Sequence, residues 1–115
     1  MKSQFTPKID DVYVKHILDA IEAIEEYVNG LTYLKFTDDS KTVDAVIRQI
    51  EIIGEASNKI SRKLRSEYKE IPWQLIIGMR NKLVHEYFGV NVDAVWDTVK
   101  HDLPDLKKKI NEIIK

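Results

Sequence analysis

Residues 8–29 read KIDDVYVKHILDAIEAIEEYVN. In this stretch Ile9, Tyr13, Ile17, Ala20, Ile24 and Val28 recur at three- and four-residue steps, the period of one face of an α-helix. Leu18 and Ile21 widen the stripe, so this first helix is expected to touch more than one neighbour. His16 falls on the same inner stripe and reads as a packed or boundary residue. Gly30 then stands where a helix C-terminus needs a left-handed residue.

Working outward, a loop is expected over residues 31–40, holding Phe36 and the turn-prone Asp38-Asp39-Ser40, with Asp39 as N-cap of a second helix. That helix should run to about Arg65 on an inner face of Val43, Val46, Ile47, Ile50, Ile53, Ser57, Ile60 and Leu64. Gly54 interrupts it at a cost of ~1 kcal/mol against Ala, which suggests a close helix crossing there. Ile71-Pro72-Trp73 opens a third helix, since Pro is favoured at a first helical position and excluded further in. It should extend to Val84 or Glu86. Phe88-Gly89-Val90-Asn91 is a turn, Asn91 caps a short fourth helix through Trp96 to Lys100, and Pro104 opens the last, faced by Leu106, Ile110, Ile113 and Ile114. The expectation is an all-α, five-helix antiparallel bundle without strands.

The 115 residues suit one domain spanning 1–115. Hydrophobic residues at 43% and charged residues at 32% are those of an ordinary soluble domain. The absence of cysteine removes disulfides, thiolate metal sites and thiol nucleophiles, and agrees with a reducing cytoplasm. Residues 1–5 carry no apolar signal run, and no stretch approaches the ~20 apolar residues that span a bilayer. A cytoplasmic protein with no membrane association is therefore expected. The net charge of -1 argues against coating nucleic acid by charge alone, so any RNA contact must come from a local patch or a shaped site.

The third helix carries the anomaly. Its stripe is Trp73, Ile76, Ile77, then Arg80, then Leu83 and Val84. Arg80 stands three residues after Ile77 and four before Val84, a core-facing position on ideal geometry. An inward guanidinium needs an anion: either a structural partner such as Glu55 on the second helix, or a ligand. His85 lies five positions on, about 140° round a regular helix, so the two share a site only if the helix turns near His85. The Phe88-Gly89 turn makes room for that. A His at a helix end has its protonated form favoured by the dipole, which suits either a cap or a proton-transfer group.

The spacing Arg80, four residues, His85, one residue, Tyr87 resembles the signature of HepT-like toxins, a branch of the HEPN superfamily. Asp44-Ala45-Val46-Ile47-Arg48, Ile52-Ile53-Gly54-Glu55-Ala56, Ile71-Pro72-Trp73, His85-Glu86-Tyr87-Phe88-Gly89-Val90, Val95-Trp96 and Asp102-Leu103-Pro104 also resemble that family, in the same order. The resemblance implies a HEPN-type bundle, a two-fold homodimer with a composite cleft, and RNA cleavage without metal or other cofactor. Arg80 and His85 would be catalytic, with Asn81 and Glu55 supporting. The chemistry fits the residue types. Attack of a ribose 2′-hydroxyl on the adjacent phosphate needs proton transfer and positive charge on the phosphorane. Guanidinium matches phosphate oxygens and stays charged. The resemblance further implies a type VII-like toxin–antitoxin pair, in which an MntA-like nucleotidyltransferase adenylylates Tyr87 and silences the toxin. Without it, Tyr87 reads as a boundary residue packed on Phe88.

A second reading is a non-catalytic helical subunit of a nucleotidyltransferase complex, with Arg80 and His85 holding a nucleotide. Among the remaining signals, His101 reads as a partner for a helix C-terminus, and the three His show no metal-ligand spacing. Lys59, Arg62, Lys63, Arg65 and Lys69, and separately Lys107-Lys108-Lys109, read as solvated faces. The first run has a second reading, as a patch that steers RNA or an acidic partner.

Overall fold

The computed structural model describes residues 5–84 and 91–114. Its helices are α1 (Phe5–Val28), α2 (Tyr33–Thr37), α3 (Ser40–Lys59), α4 (Arg62–Glu67), α5 (Trp73–Ile77), α6 (Met79–Val84), α7 (Val92–Asp97) and α8 (Leu103–Ile114), with a π-helical turn, Thr98–Asp102, between α7 and α8. The described residues contain no strand, in agreement with the all-α expectation. None of their helices is long and apolar enough to cross a membrane. They form six helical stretches rather than five, because α5 and α6 abut at Gly78 and α7 runs through the π turn into α8.

The core is built around α1 against α3. Val14, Ile17, Ala20, Ile21, Ile24 and Val28 of α1 are buried with Val43, Val46, Ile47, Ile50 and Ile53 of α3. Each fully buried Ile or Val contributes about 1.5–3 kcal/mol relative to exposure. The first turns of α1 depart from the expected stripe. Ile9 is 53% exposed, and His16 is exposed with its ring edge-on to Tyr13 at 5.9 Å. The inward position near the start of the helix belongs instead to Asp10, only 5% exposed.

Asp10 is tolerated there because Ser61 satisfies it. The Ser61 backbone N–H donates to Oδ1 at 2.9 Å and its hydroxyl to Oδ2 at 2.6 Å. The Ser61 hydroxyl oxygen in turn accepts the Leu64 N–H at 3.1 Å and caps α4. This clasp explains why the expected second helix ends early. Ile60 is extended (φ -71, ψ 141), α3 stops at Lys59, and the chain restarts at Arg62 in a new direction. The Arg65 guanidinium donates back to the carbonyls of Ile60 at 3.1 Å and Asn58 at 2.9 Å, serving the open end of α3.

The expected loop 31–40 holds α2, capped by the Thr32 hydroxyl on the Lys35 N–H at 3.2 Å. Phe36 is fully buried against Trp96, ring centroids 5.0 Å apart, and the Tyr33 hydroxyl donates to Asp93. Both contacts tie α2 to α7. Gly30 has φ +80, the left-handed conformation its position called for. Asp39 caps α3 through the Thr42 N–H at 3.1 Å, as expected, and the Thr42 hydroxyl, donating at 2.7 Å, together with this N–H holds its carboxyl below the usual carboxylate range.

The expected break before Pro104 does not occur. A proline there cannot donate to the carbonyl of Lys100 and would crowd it in a regular α-helix. The helix widens instead: the Leu103 N–H reaches back to the Thr98 carbonyl, a five-residue step. His101 therefore sits within a continuous rod, not at a C-terminus, and pairs with Asp97 at 2.9 Å. Lys107 meets Glu25 at 3.0 Å, joining α8 to α1, and this hydrogen bond raises the Lys107 pKa.

Gly54 fulfils the expected crossing. A Cβ at this position would stand 3.2 Å from the Ile77 carbonyl oxygen and 3.4 Å from that of Ile76. These are backbone atoms at the end of α5, so α3 and α5 touch where a side chain has no room. Gly54→Ala should gain ~1 kcal/mol in helix propensity and lose about 1–3 kcal/mol to overpacking. We expect net destabilisation of roughly 1 kcal/mol in a urea titration; a gain in stability would contradict the crossing.

Candidate active site

The helix pair α5–α6 begins where Ile71 is buried and Trp73 is anchored. The Trp73 indole donates to the Tyr68 carbonyl at 3.1 Å, and its backbone N–H to the Ile71 carbonyl at 2.8 Å. Pro72 occupies the cap position just before the helix, one residue earlier than expected. Gly78 closes α5 through the Gln74 and Ile76 carbonyls and then accepts the Asn81 N–H at 3.1 Å. The buried residues along this pair are Trp73, Ile76, Met79 and Leu83, with Ile77 only half-buried. Met79 thus takes a core position that the sequence pattern had not assigned to it.

Arg80 lies on α6, one residue and about 100° from Met79. Its side chain, His85 and Tyr87 lie outside the described residues, as does the expected turn at 88–90. Asn81 is exposed on α6, and Glu55 is exposed on α3, next to the Gly54 crossing. α6 packs against α3 and α7. The two ends that flank residues 85–90 are joined: the Asn91 backbone N–H donates to the Leu83 carbonyl at 3.0 Å. Asn91 also caps α7, its side-chain oxygen accepting the Ala94 N–H at 3.0 Å, as expected. The last turn of α6 and the cap of α7 are therefore held together at Leu83 and Asn91.

Two grooves flank α5, and the sequence reading found neither. One, of about 630 Å³, lies between α5–α6 and the α7–α8 rod. Its floor includes Ile76, Met79, Leu83 and Leu106, and its rim Asp97, Asp102 and Asp105. It depends on the π turn, which sets the register of α8 and leaves no period in the sequence. The other, of about 480 Å³, lies between α4 and the start of α5, with Arg62, Arg65 and Lys69 on its wall. Its signal was the basic run, but only the break at Ser61 gives that run a facing wall. Among the described residues no group of three His, Cys, Asp or Glu is placed to hold a metal ion.

The described residues form a helical bundle in which the end of the Arg-bearing helix is joined by its backbone to the cap of α7. Comparison with known proteins supplies the class. The family model for "Ribonuclease HepT-like" matches residues 17–113, and the chain belongs to this family of ribonucleases. It is 47% identical over 103 residues to a protein of Thermococcus cleftensis named "Probable ribonuclease HepT", covering 90% of this chain and 94% of that one. It is 40% identical over 102 residues to a "Putative RNase" of Caldanaerobacter subterraneus subsp. tengcongensis, covering 89% and 91%. No solved structure matches the chain.

Removing the Asn91 side chain tests whether the α7 cap matters to the site, since the backbone bond to Leu83 remains. Asn91→Ala loses the cap at a cost of about 1 kcal/mol. We expect a corresponding drop in denaturation midpoint, with RNA cleavage reduced more than the small unfolded fraction explains. Unchanged cleavage per folded molecule would separate the cap from the chemistry.

Proposed function

We propose that this chain is a metal-independent endoribonuclease that cleaves RNA through Arg80 and His85. The observation that carries the reading is the family match over residues 17–113, which contains the Arg80-x4-His85 spacing on and just after α6. In the reaction the ribose 2′-oxygen bonds to the adjacent phosphorus as its proton leaves to a base. The bond from phosphorus to the 5′-oxygen then breaks, and an acid protonates that oxygen, leaving a cyclic phosphate. His85 exchanges these protons near neutrality. Arg80 carries its charge to the equatorial oxygens of the phosphorane, where charge builds up. Asn81 orients His85 or donates to phosphate, and Glu55 supports Arg80.

One motif supplies one imidazole, whereas the reaction uses both a base and an acid. We propose that a two-fold homodimer brings two motifs to one cleft. His85→Ala and Arg80→Ala should each lower cleavage by about 10²–10⁴-fold with circular dichroism unchanged. Wild type co-refolded with excess His85→Ala should lose activity beyond simple dilution, because each mixed dimer holds a single His85 imidazole. Activity that falls only by dilution would count against the shared cleft, and full activity of His85→Ala against the mechanism.

The same reading makes the chain the toxin of a type VII-like pair, silenced when a partner nucleotidyltransferase adenylylates Tyr87. A phosphodiester on that side chain adds an anion two residues from His85, which would compete with RNA phosphate for Arg80. Tyr87→Phe should cleave RNA normally yet resist silencing by the partner with ATP, without the adenylyl mass increase. Silencing of Tyr87→Phe to the wild-type degree would overturn this assignment.

A further inference from the structure

We propose that the groove between α4 and α5 is the track along which a single RNA strand enters, an inference that rests on the ribonuclease reading above. On a chain of net charge -1, residues 59–69 hold five basic side chains, Lys59, Arg62, Lys63, Arg65 and Lys69, against one acidic, Glu67. Elsewhere Lys15 meets Asp19, Arg48 meets Glu51, Lys107 meets Glu25 and Lys109 meets Asp105, while Lys35, Lys41 and Lys100 stand singly along the chain and Lys108 lies between two paired lysines. In the basic run five cations are clustered and none meets a carboxylate among the described residues. Arg65 is spent on the carbonyls that end α3, and Lys59 lies over the Tyr13 ring at 5.9 Å. Arg62, Lys63 and Lys69 have no carboxylate partner among the described residues.

Shape gives these charges a direction. Arg62 and Lys69 line one wall of the groove of about 480 Å³, and Pro72, Gln74 and Leu75 line the other. The depression is shallow and open, with room for a sugar–phosphate strand to lie across it. The far wall is the start of α5, and α5 leads directly into α6. Arg80 lies six residues beyond Gln74, roughly 9 Å along a helix axis. A strand lying against Gln74 thus lies close to the helix that carries Arg80.

The groove on the other side of α5 shares Pro72 and Leu75, and its rim mixes Asp97, Asp102 and Asp105 with His101 and Lys109, which pair with Asp97 and Asp105. Among the described residues no carboxylate lines the groove beside α4, so Leu75, 66% exposed, stands between a face of mixed charge and a basic one. The α4 break creates this polarity. Had α3 continued straight through Ser61, the basic side chains would have been spread around one helix with no wall opposite them.

The test uses a 2′-O-methyl RNA oligonucleotide, which binds without being cut, and the full chain. Each phosphate contact on single-stranded nucleic acid contributes about 0.7 to the slope of log affinity against log salt. Arg62→Gln/Lys69→Gln should therefore reduce the slope by about 1.4 and weaken binding about 25-fold at 0.1 M salt, the same two contacts evaluated at that concentration. Lys41→Gln/Lys108→Gln removes equal charge from exposed positions outside both grooves and should leave the slope unchanged. Equal losses in both double variants, or none in the first, would overturn the track while leaving the ribonuclease reading intact. A wild-type chain that neither binds the oligonucleotide nor cuts unmodified RNA would overturn both. Far-ultraviolet circular dichroism of each variant confirms that folded protein is being compared.

Discussion

The contact between Gly54 and the carbonyls of Ile76 and Ile77 is the constraint on which the placement of the site depends. It lets two helix backbones meet without a side chain between them, and so fixes how far α5 stands from α3. Everything downstream on that helix inherits the distance. Met79 and Leu83 are buried because α6 continues the same approach, and Arg80 lies between them in the chain. A residue larger than Gly would push α5 away from α3.

A second constraint works at the other end of the long helices. Asp10 is a carboxylate in the core, and burial of an unpaired charge is costly. Both donors of Ser61 meet it, and the same Ser61 oxygen starts α4. One side chain thus closes α1 against α3, ends α3 and turns the chain. The turn brings the basic residues of α4 opposite α5, and Arg65 holds the corner by serving the carbonyls of Asn58 and Ile60. Charge that would otherwise be a solvated helical face acquires a shape.

The segment after Arg80 is handled differently. Its flanks are joined backbone to backbone, Asn91 to Leu83, and Asn91 begins the next helix with its side chain. The scaffold on both sides of residues 85–90 is thus fixed by this backbone bond and by the packing of α6 against α3 and α7.

Much of the fold was legible from residue order alone. The periodicity of α1 and α3, the caps at Asp39 and Asn91, the left-handed Gly30 and the crossing at Gly54 follow from local chemistry, which acts over three or four residues and so is written in the sequence. The family of the chain was legible for the same reason, from blocks of residues in a fixed order around Arg80 and His85. The burial of Asp10 was not legible, because its partner Ser61 is 51 residues away. Nor was the α3–α4 break that this pair imposes, the exposure of Ile9 and His16, or the uninterrupted rod through Pro104. These outcomes depend on which surfaces meet once the helices pack. A hydrophobic period predicts that a helix has an inner face, but only the assembled core decides where that face begins and which polar group it can accept.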